Sequence, residues 1–226
     1  MNQCPLPHSV RPELPTLTSR MAALPVDERG YPIPFFVSWI DGKPDFRLAD
    51  PAKFRRCVKE KLCWVCGQPM GTFKSFVIGP MCAINRTSGD PPAHLDCALW
   101  SVKGCPFLTK PKMHRREDEL TESCKANVAG EMIERNPGVT MVWTTKTYNL
   151  FPDGNGKPLF AIGEPESITF WREGRTATRA EIEESITTGL PRLVECCEME
   201  EPRHRASAHA ELKARTARVL KLLPAA

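Results

Sequence analysis

Cys63-Trp64-Val65-Cys66-Gly67, followed by His94-Leu95-Asp96-Cys97, decides how this chain is read. Each pair offers two soft or borderline donors at a spacing that lets both reach one ion from a tight turn or a first helical turn, and four such donors complete tetrahedral zinc. Gly67 comes directly after the second thiolate, where a residue free to take positive φ turns successive backbone amides towards sulfur. The expected cofactor is therefore a zinc ion held by Cys63, Cys66, His94 and Cys97. Cys82 and Cys105 are further donors, and the replacement of His94 by either is the alternative ligand set. A closed, thiolate-rich shell points to a structural ion, because a catalytic one keeps a position open for water.

Working outwards, Pro34-Phe35-Phe36-Val37-Ser38-Trp39-Ile40, the Asp41-Gly42 turn and Asp45-Phe46-Arg47-Leu48 predict a β-hairpin. Asp50 and Pro51 have the chemistry of an N-cap and a first helical residue, opening a helix to about Leu62. Phe54, Val58 and Leu62 give that helix one apolar face, with Lys53, Arg55, Arg56, Lys59 and Lys61 around the rest. Beyond the first ligand pair, Phe73–Ile78 and Met81–Ile84 predict a second hairpin about Gly79-Pro80. Asp90-Pro91-Pro92 then announces a helix to about Lys103, closed by Gly104, whose first turn places His94 and Cys97 on one face.

Knuckle, hairpin and ligand-bearing helix, in that order over residues 60–108, resemble the treble-clef zinc finger. Asp41-Gly42-Lys43-Pro44-Asp45-Phe46-Arg47, Leu62–Gly67, Phe76–Cys82 and Cys105-Pro106-Phe107-Leu108 are similar to an uncharacterised group of bacterial and prophage proteins, a resemblance that implies no activity. Nucleases of the HNH type share a treble-clef-like scaffold but place a catalytic histidine on the hairpin. Residues 68–93 contain no histidine, so no catalytic residue is assigned.

In the second half, Val139–Thr145 reads as a strand after the Asn136-Pro137-Gly138 turn, Phe151–Gly156 as a loop, and Leu159–Ile162 with Ser167–Trp171 as a strand pair. Thr178-Arg179-Ala180-Glu181 matches a capping box opening a helix to Gly189. Leu212, Thr216, Val219, Leu220 and Leu223 form the apolar stripe of a last helix, which docks on the core or on a protein partner. Cys196 and Cys197 are read as packed thiols, and all five tryptophans as core anchors. The expected fold is α+β: a proline-rich, weakly ordered arm (1–30), a hairpin, basic helix and treble-clef-like zinc module (31–116), and a small sheet with C-terminal helices (117–226).

Composition bounds the function. A hydrophobic fraction of 41% over 226 residues supports a real core, and no apolar run approaches the roughly 20 residues of a membrane span. Ten cysteines without an export signal fit thiols or metal ligands in a reducing compartment, so the cytoplasm is the expected location. The net charge of +4 hides segregation: residues 42–116 carry 14 basic and 5 acidic side chains, whereas residues 117–201 carry 8 and 17. A clustered positive field favours polyanions through counterion release. Lys53, Arg55, Arg56 and Lys59, with Lys110, Lys112, Arg115 and Arg116, are therefore expected to form one DNA- or RNA-binding face. The expected function is a zinc-stabilised binding protein that contacts nucleic acid or a complex bound to it. A protein-interaction adaptor of phage origin and an unrecognised enzyme such as a divergent nuclease are the alternatives.

Overall fold

Residues 9–110 and 138–225 are described by a computed structural model. The chain runs β1 (Val37–Ile40), β2 (Lys43–Ala49), α1 (Pro51–Glu60), β3 (Lys74–Ile78), α2 (Pro80–Asn85), β4 (Thr87–Ser88), α3 (Leu95–Gly104), α4 (Pro106–Thr109), β5 (Thr140–Thr145), β6 (Tyr148–Pro152), β7 (Pro158–Ile162), β8 (Pro165–Arg172), β9 (Arg175–Thr176), α5 (Arg179–Met199) and α6 (Pro202–Leu220). The fold is α+β, as expected, with antiparallel sheets ordered β1-β2, β3-β5-β8-β9 and β4-β7-β6. Among the described residues no helix is long and apolar enough to cross a membrane.

Strand β5 is buried along its whole length and divides the interior in two. Successive strand residues face opposite sides of a sheet. Met141 and Trp143, with Phe76 and Ile78 of β3 and Phe170 of β8, therefore join one core, where Phe160, Ile182, Ile186, Leu212 and Val219 meet them from β7, α5 and α6. Val142 points the other way, with Val77 and Trp171, into a second core made by Met21, Cys63, Val65, Cys97, Ala98, Trp100 and Val102. The four-stranded sheet thus has helices on one face and the cysteine-bearing module on the other. Ser75 and Thr144 hydroxyls, buried between β3 and β5, satisfy each other at 2.8 Å.

The N-terminal elements follow local chemistry. Asp41 and Gly42 both take positive φ in the β1–β2 turn, and the Asp50 carboxylate accepts from the amides of Ala52 and Lys53 to cap α1. Residues 9–30, expected to be weakly ordered, are folded against the module: Met21 is fully buried and Trp100 donates its indole N–H to the Pro15 carbonyl at 3.0 Å.

Several expectations are corrected. The hairpin over residues 73–84 does not form, because Gly79 and Pro80 cap and open helix α2, and β3 pairs with β5 instead. Residues 159–162 and 167–171 do not pair: β7 joins β4 and β6, while β8 joins β5 and β9. Phe151 and Pro152 belong to β6 rather than to a loop. Helix α3 begins at Leu95 with His94 as N-cap, later than the prolines suggest, and Gly104 is its last residue. Helix α5 opens on the expected Thr178–Glu181 capping box but runs past Gly189 and through Pro191 to Met199. An interior proline costs about 3 kcal/mol, offset here by Leu190, Leu193 and Cys197 packed on the core. Gly189 serves close approach, not termination: a Cβ there would lie 2.9 Å from the Met81 side chain. The stripe of the last helix docks on this chain's own core through Leu212, Val219 and Leu223.

Candidate metal centre

Cys63 and Cys66 sit in a turn shaped by the backbone. Gly67, at φ 71°, donates its amide to the Cys63 carbonyl at 2.8 Å, and the Cys63 amide bonds the Gln68 carbonyl. An added Cβ at Gly67 would fall 2.6 Å from the Phe35 ring, so the position demands glycine twice over, for conformation and for space. The second pair is carried to the first by two clips. Ala93 exchanges amide and carbonyl bonds with Ser75 of β3, and the Trp64 amide reaches the Pro92 carbonyl at 3.1 Å. His94 then stands at the N-cap of α3, with Cys97 in the first turn.

The donor atoms of Cys63, Cys66, His94 and Cys97 all lie within 4.8 Å of one another. Cys63 and Cys97 are fully buried, His94 is 8% exposed, and Cys66 keeps partial access to solvent. His94 presents Nδ1 to the Cys66 sulfur at 3.4 Å and sets Nε2 against the Pro69 carbonyl at 3.1 Å. Such an outer hydrogen bond fixes the ring's orientation and leaves Nδ1 as the inward donor. The amides of Cys66 and His94 point at the Cys63 sulfur from 3.5 and 3.4 Å.

The electrostatics are those of three thiols sharing one small space. Hydrogen bonds from the other two thiols and from these amides hold the Cys63 thiol well below its ordinary range. Facing that sulfur, Cys66 is pushed up to about 11, and Cys97 is pushed up further. By itself the cluster therefore carries one negative charge easily and a second only at high cost. A bound cation removes that cost, so the donor set and its charge fit a soft divalent metal ion. Cys57, the neighbouring buried thiol on α1, is pushed up to about 12 chiefly by burial.

The alternative donors stand outside this cluster: among the described residues it comprises Cys63, Cys66, His94 and Cys97 without Cys82 or Cys105. Cys82 packs against the helix-side core from α2, and Cys105 caps α3 and α4. The paired cysteine and histidine ligands are compatible with a zinc finger, although the treble-clef hairpin expected between them is replaced by β3 and α2.

Among the expected nucleic-acid contacts, Arg55 and Lys59 lie four residues apart on the exposed side of α1 and have no ion-pair partner among the described residues. Arg56 is neutralised in part by Glu60 at 3.0 Å. Lys53 is engaged within the fold: its ammonium donates to the Val37 carbonyl at 2.7 Å and lies over the Phe35 ring, and burial lowers its pKa. Lys110 ends the first described segment, and Lys112, Arg115 and Arg116 lie outside the described residues. What sequence reasoning missed is Phe35. Its amide donates to Val65 in the knuckle, its ring covers Gly67, and Lys53 and Arg56 sit over it at 5.7 and 5.5 Å. Phe35 thereby ties the cysteine turn to the basic helix, a link with no local sequence signal.

The centre is thus that of a protein with a buried three-cysteine, one-histidine cluster beneath a basic helix. Comparison with protein-family models, curated proteins and solved structures finds no match to the chain.

Proposed function

We propose that Cys63, Cys66, His94 and Cys97 hold one zinc ion as a structural site, and that the module it braces binds nucleic acid through the face of α1. The observation that carries the reading is the donor set itself, three sulfurs and one imidazole nitrogen within 4.8 Å, which matches the tetrahedral preference of zinc and leaves no position for a reacting water. Zinc binding displaces the protons of Cys66 and Cys97, so affinity falls as pH falls.

Arg55, Lys59 and Lys61 support the second half of the reading, as cations without ion-pair partners among the described residues, on and just beyond a helix that Phe35 fastens to the knuckle. Zinc holds the knuckle, the knuckle holds Phe35, and Phe35 holds the base of the charged face. The adaptor reading through the last helix is weakened because its apolar stripe is used internally.

Metal analysis and native mass spectrometry of the purified protein test the first half; one zinc per chain is expected, lost in Cys63→Ser and Cys97→Ser. Fluorescence anisotropy with unrelated DNA and RNA sequences at several salt concentrations tests the second. Affinity is expected to fall steeply with salt, and Arg55→Glu/Lys59→Glu to reduce the slope by about one for each phosphate contact removed. A zinc-free folded protein sinks the first half, and absence of binding at low salt sinks the second.

A further inference from the structure

Trp39 and Ile40 stand bare at the end of the β1–β2 hairpin, 41% and 50% exposed. Adjacent strand residues face opposite sides, so each face of this tip carries one half-exposed apolar side chain. Trp64, Trp100 and Trp143 are buried, and the core-anchor expectation fails at Trp39.

The tip is preorganised. The Asp41-Gly42 turn sets Ile40 opposite Lys43 and Trp39 opposite Pro44. At the root, the Asp50 amide donates to the Phe36 carbonyl at 2.8 Å and the Lys53 ammonium to that of Val37. Trp39 is two residues beyond Val37, about 7 Å along the strand from the carbonyl that the Lys53 ammonium reaches.

Opposed residues share a face, which puts Trp39 on the side of Pro44, whereas Phe46 follows Asp45 where the register shifts between the Ser38–Asp45 and Val37–Ala49 pairs. The Arg29 guanidinium lies 5.3 Å from the Phe46 ring and 5.6 Å from that of Tyr31, and Arg11 covers Tyr31 at 5.3 Å. Rings and guanidinium planes thus alternate through Phe46, Arg29, Tyr31 and Arg11 on the segments next to the hairpin. Arg11 and Arg29 are paired with Glu13 and Asp27, whereas Lys43 at the tip and Arg55, Lys59 and Lys61 nearby in the chain have no ion-pair partner among the described residues. A protein partner would have to satisfy those cations one by one. A polyanion with flat bases satisfies both features together, because stacking on aromatic faces tolerates any base and phosphates take the cations. In a duplex the base faces are already stacked on each other, so the fit is to a single strand.

We propose that the β1–β2 hairpin tip is a base-stacking element for single-stranded nucleic acid, with Trp39 as the platform and the cations of α1 on the phosphates. The proposal rests on the nucleic-acid reading above and adds the strand form and the contact. The test is anisotropy of a labelled oligothymidine and of its duplex with oligoadenine, using zinc-loaded protein, Trp39→Ala, Trp39→Phe and Arg55→Glu/Lys59→Glu. Trp39→Ala is expected to weaken single-strand binding about tenfold, with the salt slope unchanged, the duplex little affected and Trp39→Phe largely restoring affinity. Arg55→Glu/Lys59→Glu instead reduces the salt slope. Single-strand binding untouched by Trp39→Ala overturns the stacking proposal and leaves the α1 reading standing, as does a loss shared equally by the duplex. Binding of neither form at low salt overturns both.

Discussion

The two faces of the β3-β5-β8-β9 sheet are closed by different physics. On one, Phe76, Met141, Trp143, Phe160, Ile182 and Ile186 exclude water by apolar contact with α2, α5 and α6. On the other, the residues around Val142 include Cys63 and Cys97, and the segments carrying them have little regular structure before α3 begins. Four ligand bonds to a metal ion at Cys63, Cys66, His94 and Cys97 would add to the packing on this face. The comparison teaches where a metal ion would contribute most: on the side where the chain stays irregular while bringing its donors together.

The largest effect expected from this contrast is that of metal removal. Chelator treatment should abolish hydrogen-exchange protection over residues 62–70 and 93–104 while residues 182–186 and 212–219 keep part of theirs. If both faces lose protection together, the sheet does not separate them. A cut into the opposite face should behave in reverse: Phe160→Ala is expected to destabilise by about 3–5 kcal/mol in denaturant titration, with zinc affinity unchanged. Gly67→Ala comes next, since left-handed backbone costs a non-glycine residue about 1–2 kcal/mol before the 2.6 Å approach to Phe35 is relieved. Zinc competition assays should register it as weaker metal binding.

The smallest expected effect lies at the start of α5. Thr178→Ala should cost about 1 kcal/mol. The Arg175 guanidinium and the Thr178 amide hold Glu181 down to about 2 from its ordinary 4.5. Its folded-state pKa is depressed, so its contribution is present above about pH 4.5 and lost as pH falls towards 2. Glu181→Gln should flatten that part of the acid limb of a thermal-stability profile, and an unchanged limb would show that the pair contributes nothing measurable.

Sequence made legible what depends on neighbours a few residues apart. Metal geometry demands the Cys63–Cys66 and His94–Cys97 spacings, Asp50-Pro51 announces α1, and Thr178 with Glu181 announces α5. What stayed hidden depends on distant partners. The apolar run through Ile78 and Ile84 fits strand or helix alike, and pairing of β3 with β5 joins residues as far apart as Ser75 and Thr144. Gly189 reads as a stop until Leu190, Leu193 and Cys197 beyond it are seen packed on the core. Trp39 carries no local mark that separates it from the buried indoles.

Strand β3 lies between the two ligand pairs in the chain, and this bears on how the molecule assembles. Cys66 and His94 are 28 positions apart, so an ion joining them closes a loop that already contains β3 and α2. Closing a loop of that size removes about 3–4 kcal/mol of chain entropy from the unfolded ensemble, as a covalent cross-link would. The subsequent docking of β5, from 69 positions downstream at Ser75 and Thr144, then meets a tethered edge instead of a free coil. Refolding should accordingly run faster when zinc is present from the outset than when it is added after the chain has collapsed.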